Sequence, residues 1–476
     1  MLLLGRKGAG KTAALAEIRI AASRRGDVRR ARPLPQRGAQ FVLAIDSWPH
    51  FHEVVSRVGR NVQGEQVSPE LIPPEMYRDL WVDSLWHEII TYFYDYAHED
   101  DTRADLMPVH RYINAEAPPG VPLKLAAQQM AEDARDAIVS FLDQRDAQLF
   151  FLVDTMERYP IRNSVFAQTL SGMFPAMYKI KANNSRIKII FSVPEEIESF
   201  MAAGSANLMK DFASSFRVRW KPIDLVHLIA YRLRASASIH DRPLYERTES
   251  LDFSKRDDLH KMLSVILPET IRNACGNDED ALAYIIRHTQ LLPRQILFIF
   301  NAALSEQFRK HKTFENVKGE LVRKAVTESQ RFIGEQMLTL YRNVYPKLLT
   351  EARKILPDLE PICDYQSLRK IESRFNRNIE DDVVSIWDTM FEMGILGRST
   401  TKSGDLSNPP MDESRYCYGQ FHFNADSGFG LATDGEYCFH PIFARYYGMA
   451  RRKEEQRVVY PANIDLENIY VDQSSR

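Results

Sequence analysis

Cysteine is scarce in this chain of 476 residues: only Cys275, Cys363, Cys417 and Cys438, with no C-x-x-C pair among them. That excludes a disulfide-stapled scaffold and fits a reducing compartment, where thiols stay free. Long apolar runs are absent too. No stretch approaches the roughly 18 residues that a membrane-spanning helix needs. Met1–Leu4 is too short for a secretory leader core, and its basic residues follow the apolar stretch instead of preceding it. An excess of charge of one sign is also missing. The net charge of −2 gives no reason for wholesale attraction to nucleic acid or membrane. A cytoplasmic protein is expected. What remains is ordinary globular material, 44% apolar and 26% charged, long enough for about three domains.

The first distinctive pattern comes at once. "GRKGAGKT" begins at Gly5 and fits G-x-x-x-x-G-K-[ST] through Gly10, Lys11 and Thr12. Glycines let consecutive backbone N–H groups curl around phosphate oxygens, and Gly8 adds freedom within the loop. The phosphate-facing segment runs over Gly5, Arg6, Lys7, Gly8, Ala9, Gly10, Lys11, Thr12 and Ala13. Lys11 is expected to reach the β- and γ-phosphates, and the Thr12 hydroxyl to ligate Mg²⁺. The Ala-rich stretch that follows reads as a helix whose N-terminal dipole faces the anion. Leu2–Leu4 make a very short approach strand, which leaves recognition of a base unaccounted for.

A phosphate loop calls for a later buried strand ending in an acid. "QLFFLVDTMERY" supplies one: Leu149–Val153 is a continuous apolar run, and Asp154 ends it at the carboxyl edge, as the second Mg²⁺ residue. Thr155 follows and cannot serve as a carboxylate base. Glu157 is the candidate to orient the attacking water, against a structural role in pairing with Arg158. Ile187–Phe191 make another strand, with Ser192 expected at its end, either as a γ-phosphate sensor or as a plain strand-end serine. Phe41–Ile45 and "FRVRWKP" complete the strands, and their alternation with helical segments argues for a parallel α/β sheet.

Between Phe41–Ile45 and Asp154 lies a helical insertion, about 70–145, in which Trp81, Trp86 and Tyr92 are read as core. Six arginines between Arg24 and Arg37 mark a loop that is either solvated or faces an acidic partner or nucleic acid. After Pro222 the texture is helical to about residue 325, with no β-run. Arg294 stands at an expected helix start, either as a surface residue or as a lid cation sensing the γ-phosphate. Helices are then expected from about Arg331 to Ile355, Tyr365 to Phe375 and Ile379 to Met393. "GILGR" reads as a turn, and "RYCYGQFHFN" and "GEYCFHPIFARYYG" as the two strands of a hairpin. Three helices and a hairpin describe a winged helix. The helix usually placed in a DNA groove carries acids here and no Lys or Arg, which favours protein contact over DNA contact. Cys417 and His422 lie an odd number of residues apart, pointing to opposite faces of a strand, so zinc is not expected.

The ordered set "GRKGAGKT", "FFLVDTMER", "IIFSV", "FRVRWKPIDLVHLIAYRL" and "LLPRQILFIFN", ahead of a winged helix, resembles bacterial P-loop ATPases of the AAA+/STAND group, those whose loop reads GRKGSGKTA. The resemblance spans roughly the whole chain. It implies an α/β core over 1–222, an all-α lid over 223–325 and a winged-helix domain over 326–476. It also implies ATP and Mg²⁺ as ligands, slow hydrolysis, homo-oligomers, and a separately encoded protein effector, often in anti-phage defence. Arg217 is the candidate arginine finger under that resemblance. A DNA-binding ATPase of origin-recognition or loader type is the alternative. A small-molecule kinase is a weaker third reading, because the sequence offers no obvious acceptor pocket.

Overall fold

The structure, a computed structural model, describes residues 1–24, 40–45, 74–98, 100–115, 123–154, 164–195, 215–273, 275–376, 385–399, 416–424, 435–449 and 457–461. It divides into two compact units, Met1–Val218 and Arg219–Arg476.

The first unit is built on a parallel sheet of β1 (Leu2–Gly5), β2 (Gln40–Ile45), β3 (Gln148–Val153), β4 (Ile187–Pro194) and β5 (Ser215–Arg217). Their order is β2-β3-β4-β1-β5. β4 therefore lies between the loop-bearing strand β1 and the acid-bearing strand β3. Strand β1 has only four residues, but both its edges are paired. Leu3 stands opposite Ser192 on one side and Phe216 on the other, and the Val218 N–H donates to the Leu4 carbonyl at 2.8 Å. Backbone pairing on both sides makes a short central strand sufficient.

Alternation then sorts the side chains. Leu2 and Leu4 enter a large core with Trp81, Phe93, Phe141 and Phe174. Leu3 joins Leu15, Val42, Leu152 and Ile190 on the opposite face, beneath helix α1 (Lys11–Arg24). The large core is covered by α2 (Pro74–Tyr94), α3 (Leu123–Gln144) and α4 (Ser164–Asn183). Trp81, Trp86 and Tyr92 are all buried, as their spacing implies. The Tyr92 hydroxyl also accepts the Val42 N–H at 3.2 Å, satisfying a donor of edge strand β2. Helices α2 and α4 pack backbone to backbone: a Cβ on Gly172 would sit 2.6 Å from the Tyr77 Cβ.

The second unit opens with α5 (Pro222–His240), α6 (Arg242–Thr248) and α7 (Arg256–Ile266). The expectation of an uninterrupted helical lid needs correction here. A small antiparallel hairpin, β6 (Thr270–Arg272) and β7 (Asp278–Asp280), turns at Gly276, whose φ is +83°. Helices α8 (Ala281–Arg287) and α9 (Pro293–His311) follow. The expected helix from Arg331 to Ile355 is two helices, α10 (Gly319–Val344) and α11 (Pro346–Ile355). Tyr345 leaves helical geometry between them, because the residue before a proline is pushed out of it. Helix α10 runs without a break across residue 325.

Next come β8 (Ile362–Asp364), α12 (Tyr365–Asn376), α13 (Ile386–Glu392), β9 (Leu396–Ser399), β10 (Tyr416–Gln420), β11 (Glu436–Phe439), α14 (Pro441–Tyr446) and β12 (Val458–Pro461). Strands β8, β11 and β9 form an antiparallel set beside α11–α13, the winged-helix arrangement. Two details differ from the sequence reading. "GILGR" is not only a turn: it supplies β9, which lies between the two stretches expected to pair with each other, in the order β12-β10-β9-β11-β8. "HPIFARYYG" is a helix, because Pro441 takes its first position and the His440 ring accepts the Ile442 N–H at 3.3 Å. Within 379–393 the described helix starts at Ile386, after the Ser385 cap.

One buried network ties β7, α8 and β12 together. Glu279 accepts from Arg287 Nε at 2.8 Å and Nη2 at 3.0 Å, and also from Asn273 and the Tyr460 hydroxyl. Burial works against the Arg287 charge, but Glu279 outweighs it and holds the pKa above its ordinary value. Gln290 Nε2 donates to the Gly394 carbonyl at 2.9 Å, a buried tie from the segment after α8 to the turn before Leu396–Ser399.

Candidate nucleotide site

The segment between β1 and α1 folds as a tight loop. The Ala9 N–H donates to the Arg6 carbonyl at 3.0 Å, and Gly8 and Gly10 have φ of +90° and +92°. Those values belong to a region that side chains with a Cβ resist, which explains glycine at both positions. Gly5 has a different reason. A Cβ there would come 3.3 Å from Val218 and 3.4 Å from the Lys11 stem.

Lys11 is the first residue of α1 and only 5% exposed. Its ammonium donates to the Gly5 carbonyl at 2.8 Å and the Arg6 carbonyl at 3.2 Å, so the charge is held across the loop. Arg6 and Ala9 are buried, Lys7 is half-buried, and Thr12 and Ala13 are exposed at the helix start. A confined cation, a glycine loop and the positive end of a 14-residue helix form a donor set for phosphate.

The acid arrives from the far side of β4. Asp154 follows the last residue of β3, and its Oδ2 accepts the Thr12 hydroxyl at 2.6 Å. Residues 142 apart in sequence thus put two hard oxygen donors together at the carboxyl edge of the sheet. This all-oxygen pair suits Mg²⁺, which would be held by Thr12 and Asp154 and would offset phosphate charge there.

Ser192 requires a correction. Strand β4 continues to Pro194, so Ser192 lies inside the strand, opposite Leu3 and 1% exposed. Its hydroxyl has no hydrogen-bond partner among the described residues. Arg217 also moves: it ends β5 instead of starting a strand, because the strand drawn from "FRVRWKP" covers only Ser215–Arg217. Its guanidinium engages Glu195, the residue just after β4, and the Glu195 side chain is 9% exposed. Among the described residues Glu195 is a carboxylate at this edge that the sequence reading passed over, although "SVPEE" puts an acid directly after a buried strand. Glu157 and the arginine-rich loop after Arg24 lie outside the described residues. Arg294 stands exposed in the first turn of α9, in the second unit.

No protein-family model matches this chain, and no curated protein matches it. Similar solved structures come from Aeropyrum pernix. The ORC2 protein in ADPNP-ADP complexes is 13% identical with a TM-score of 0.37, over 84% of this chain and 81% of that one. The ADP form of ORC2 is 13% identical with a TM-score of 0.32, over 83% and 80%. The ORC1 protein in complex with DNA is 12% identical with a TM-score of 0.28, over 84% and 80%. Scores this low carry nothing across, so the class rests on the chain's own geometry. The glycine loop between β1 and α1, the acid after β3 and the parallel sheet define a P-loop NTPase core, followed by a helical segment and a winged helix.

Proposed function

We propose that this chain is an AAA+ ATPase that binds Mg-ATP at the Gly5–Ala13 loop and couples its nucleotide state to the winged-helix unit. The observation that carries this is the Thr12–Asp154 hydrogen bond. It brings a hydroxyl and a carboxylate together one residue beyond Lys11, which supports reading them as the two magnesium ligands of a P-loop site. In this reading the glycine loop and Lys11 hold the β/γ-phosphates, and bound Mg²⁺ would neutralise their charge. Glu157 orients the attacking water, Ser192 and Arg294 sense the γ-phosphate, and Arg217 serves an adjoining copy. For that last role, Arg217 has first to leave Glu195. A core over 1–222, a lid over 223–325, a winged-helix domain over 326–476, homo-oligomers and a cytoplasmic location belong to the same proposal.

Steady-state phosphate release from Mg-ATP tests it. Glu157→Gln is expected to keep ATP binding and to lower release by about 100-fold or more, the usual weight of a general base. Unchanged release would remove Glu157 from that role and direct attention to Glu195.

The origin-recognition or loader reading takes first place among the finer ones, because α12 exposes Arg369, Lys370 and Arg374 on the winged-helix unit. Arg374 is paired with Asp358 at 2.6 Å, which leaves Arg369 and Lys370 as the stronger contacts. Helix α13 exposes Asp388 and Glu392 instead, so it is α12 that would meet the phosphates. Fluorescence anisotropy at low salt is expected to show duplex binding that weakens as salt rises. The double variant Arg369→Glu/Lys370→Glu should reduce the logarithmic salt slope by about 2. A flat titration would turn the account to the switch that acts through a separate protein effector, the form in which a defence role belongs.

A further inference from the structure

A cavity of about 510 Å³ opens in the second unit among α10, α11 and α14. Arg331 and Glu335 line it from α10, Arg353 from α11, and Arg445, Tyr446 and Tyr447 from α14 and the residue after it. Three guanidiniums therefore share it with one carboxylate. Glu335 is already shared: Arg353 Nη2 lies 3.4 Å from its Oε1, and the Tyr446 hydroxyl lies 3.4 Å from the same oxygen. Arg353 also donates to the Tyr446 hydroxyl. Arg331 and Arg445 are exposed, and neither guanidinium has a hydrogen-bond or ion-pair partner among the described residues.

Tyr447 adds an independent observation. The residue is 5% exposed, and its hydroxyl is buried with no hydrogen-bond partner among the described residues. A buried hydroxyl without a partner is costly in an ordinary core. Burial pushes the Tyr447 pKa up, so the group stays a neutral O–H donor. Uncompensated cations and an unused buried donor around one cavity have a common complement: a multiply charged anion with several acceptor oxygens. The volume falls within the range of small-molecule sites.

We propose that the second unit holds a further anion site, distinct from the Gly5–Ala13 loop, which binds a phosphate-bearing ligand between Arg331, Arg353 and Arg445 with Tyr447 as a donor. Phosphate can come from a free polyphosphate or nucleotide, or from a nucleic-acid backbone. Both present the same oxygens.

Calorimetric titration of the full chain with inorganic pyrophosphate, without divalent cations, tests it. A second arm uses a short oligonucleotide without terminal phosphates. Wild type is expected to take up two pyrophosphates, and Lys11→Ala and Arg331→Glu/Arg445→Glu one each. The combined variant should take up none. Tyr447→Phe should weaken the second site at least 10-fold while leaving the melting temperature unchanged or raised, since its hydroxyl has no hydrogen-bond partner among the described residues. Loss of oligonucleotide binding in Arg331→Glu/Arg445→Glu, with pyrophosphate uptake at this site absent, assigns the phosphate to nucleic acid. If the arginine changes alter neither ligand's uptake in either background, the site does not exist. The effect of Lys11→Ala reports separately on the loop.

Discussion

Glu279→Ala is expected to destabilise the second unit by about 3–5 kcal/mol, the usual cost of stripping one partner from a buried ion pair. The Glu279 side chain is fully buried, and that of Arg287 is 4% exposed. Four donors converge on the carboxylate, from Arg287, Asn273 and Tyr460. Removing it leaves a guanidinium in the core facing the rings of Tyr284 and Tyr460, at 4.9 and 5.4 Å. Cation–π attraction offsets only about 1–2 kcal/mol of that. The melting midpoint of the unit should fall by on the order of 10 °C. Glu279→Leu combined with Arg287→Met should recover most of the loss, because replacing both charges by apolar groups avoids the orphaned ion. If Glu279→Ala melts like wild type, the network does not hold α8 to β12.

Lys11→Ala is expected to weaken Mg-ATP binding by about 100-fold or more, equivalent to about 2.7 kcal/mol. The ammonium is confined by two backbone carbonyls and is only 5% exposed, so its position is fixed before a phosphate arrives. Preorganisation of this kind saves the ordering cost that a free lysine would bear. The substitution should also cost the first unit about 1–3 kcal/mol of stability, because it strips the donor from the buried Gly5 and Arg6 carbonyls. Equilibrium binding of a fluorescent ATP analogue beside a melting curve separates the two effects. Binding equal to wild type would remove Lys11 from the site.

Much of the first unit was legible in the sequence because its signals are local. The loop is fixed by residue type at fixed spacing. Asp154 follows an apolar run that has no other use than a doubly covered strand. Trp81, Trp86 and Tyr92 recur at helical spacing and are core. The misses come from pairing between distant segments. Leu396–Ser399 is four residues with a glycine, Gly397, inside it, and the approach of β10 and β11 from either side makes it a strand. The apolar run Ile187–Phe191 sets Ser192 at a strand end, yet pairing continues to Pro194, opposite Gly5. A proline at the end of a strand removes no donor that the ladder needs. The Glu195–Arg217 pair joins two strand ends and leaves no trace in spacing. Glu279 lies in "NDEDA", three acids in a row with no apolar residue among them to mark a strand. The alternation of a strand instead turns its middle acid inward, and exposed Asp278 and Asp280 flank it.

The most direct test of the central claim is amide hydrogen exchange on the full chain, with and without Mg-ATP. The account predicts that the amides from Gly8 to Ala13 gain protection on adding Mg-ATP, and that Asp154→Asn diminishes the gain. Exchange that stays unchanged across Gly8–Ala13 under saturating Mg-ATP would contradict a nucleotide site at this loop.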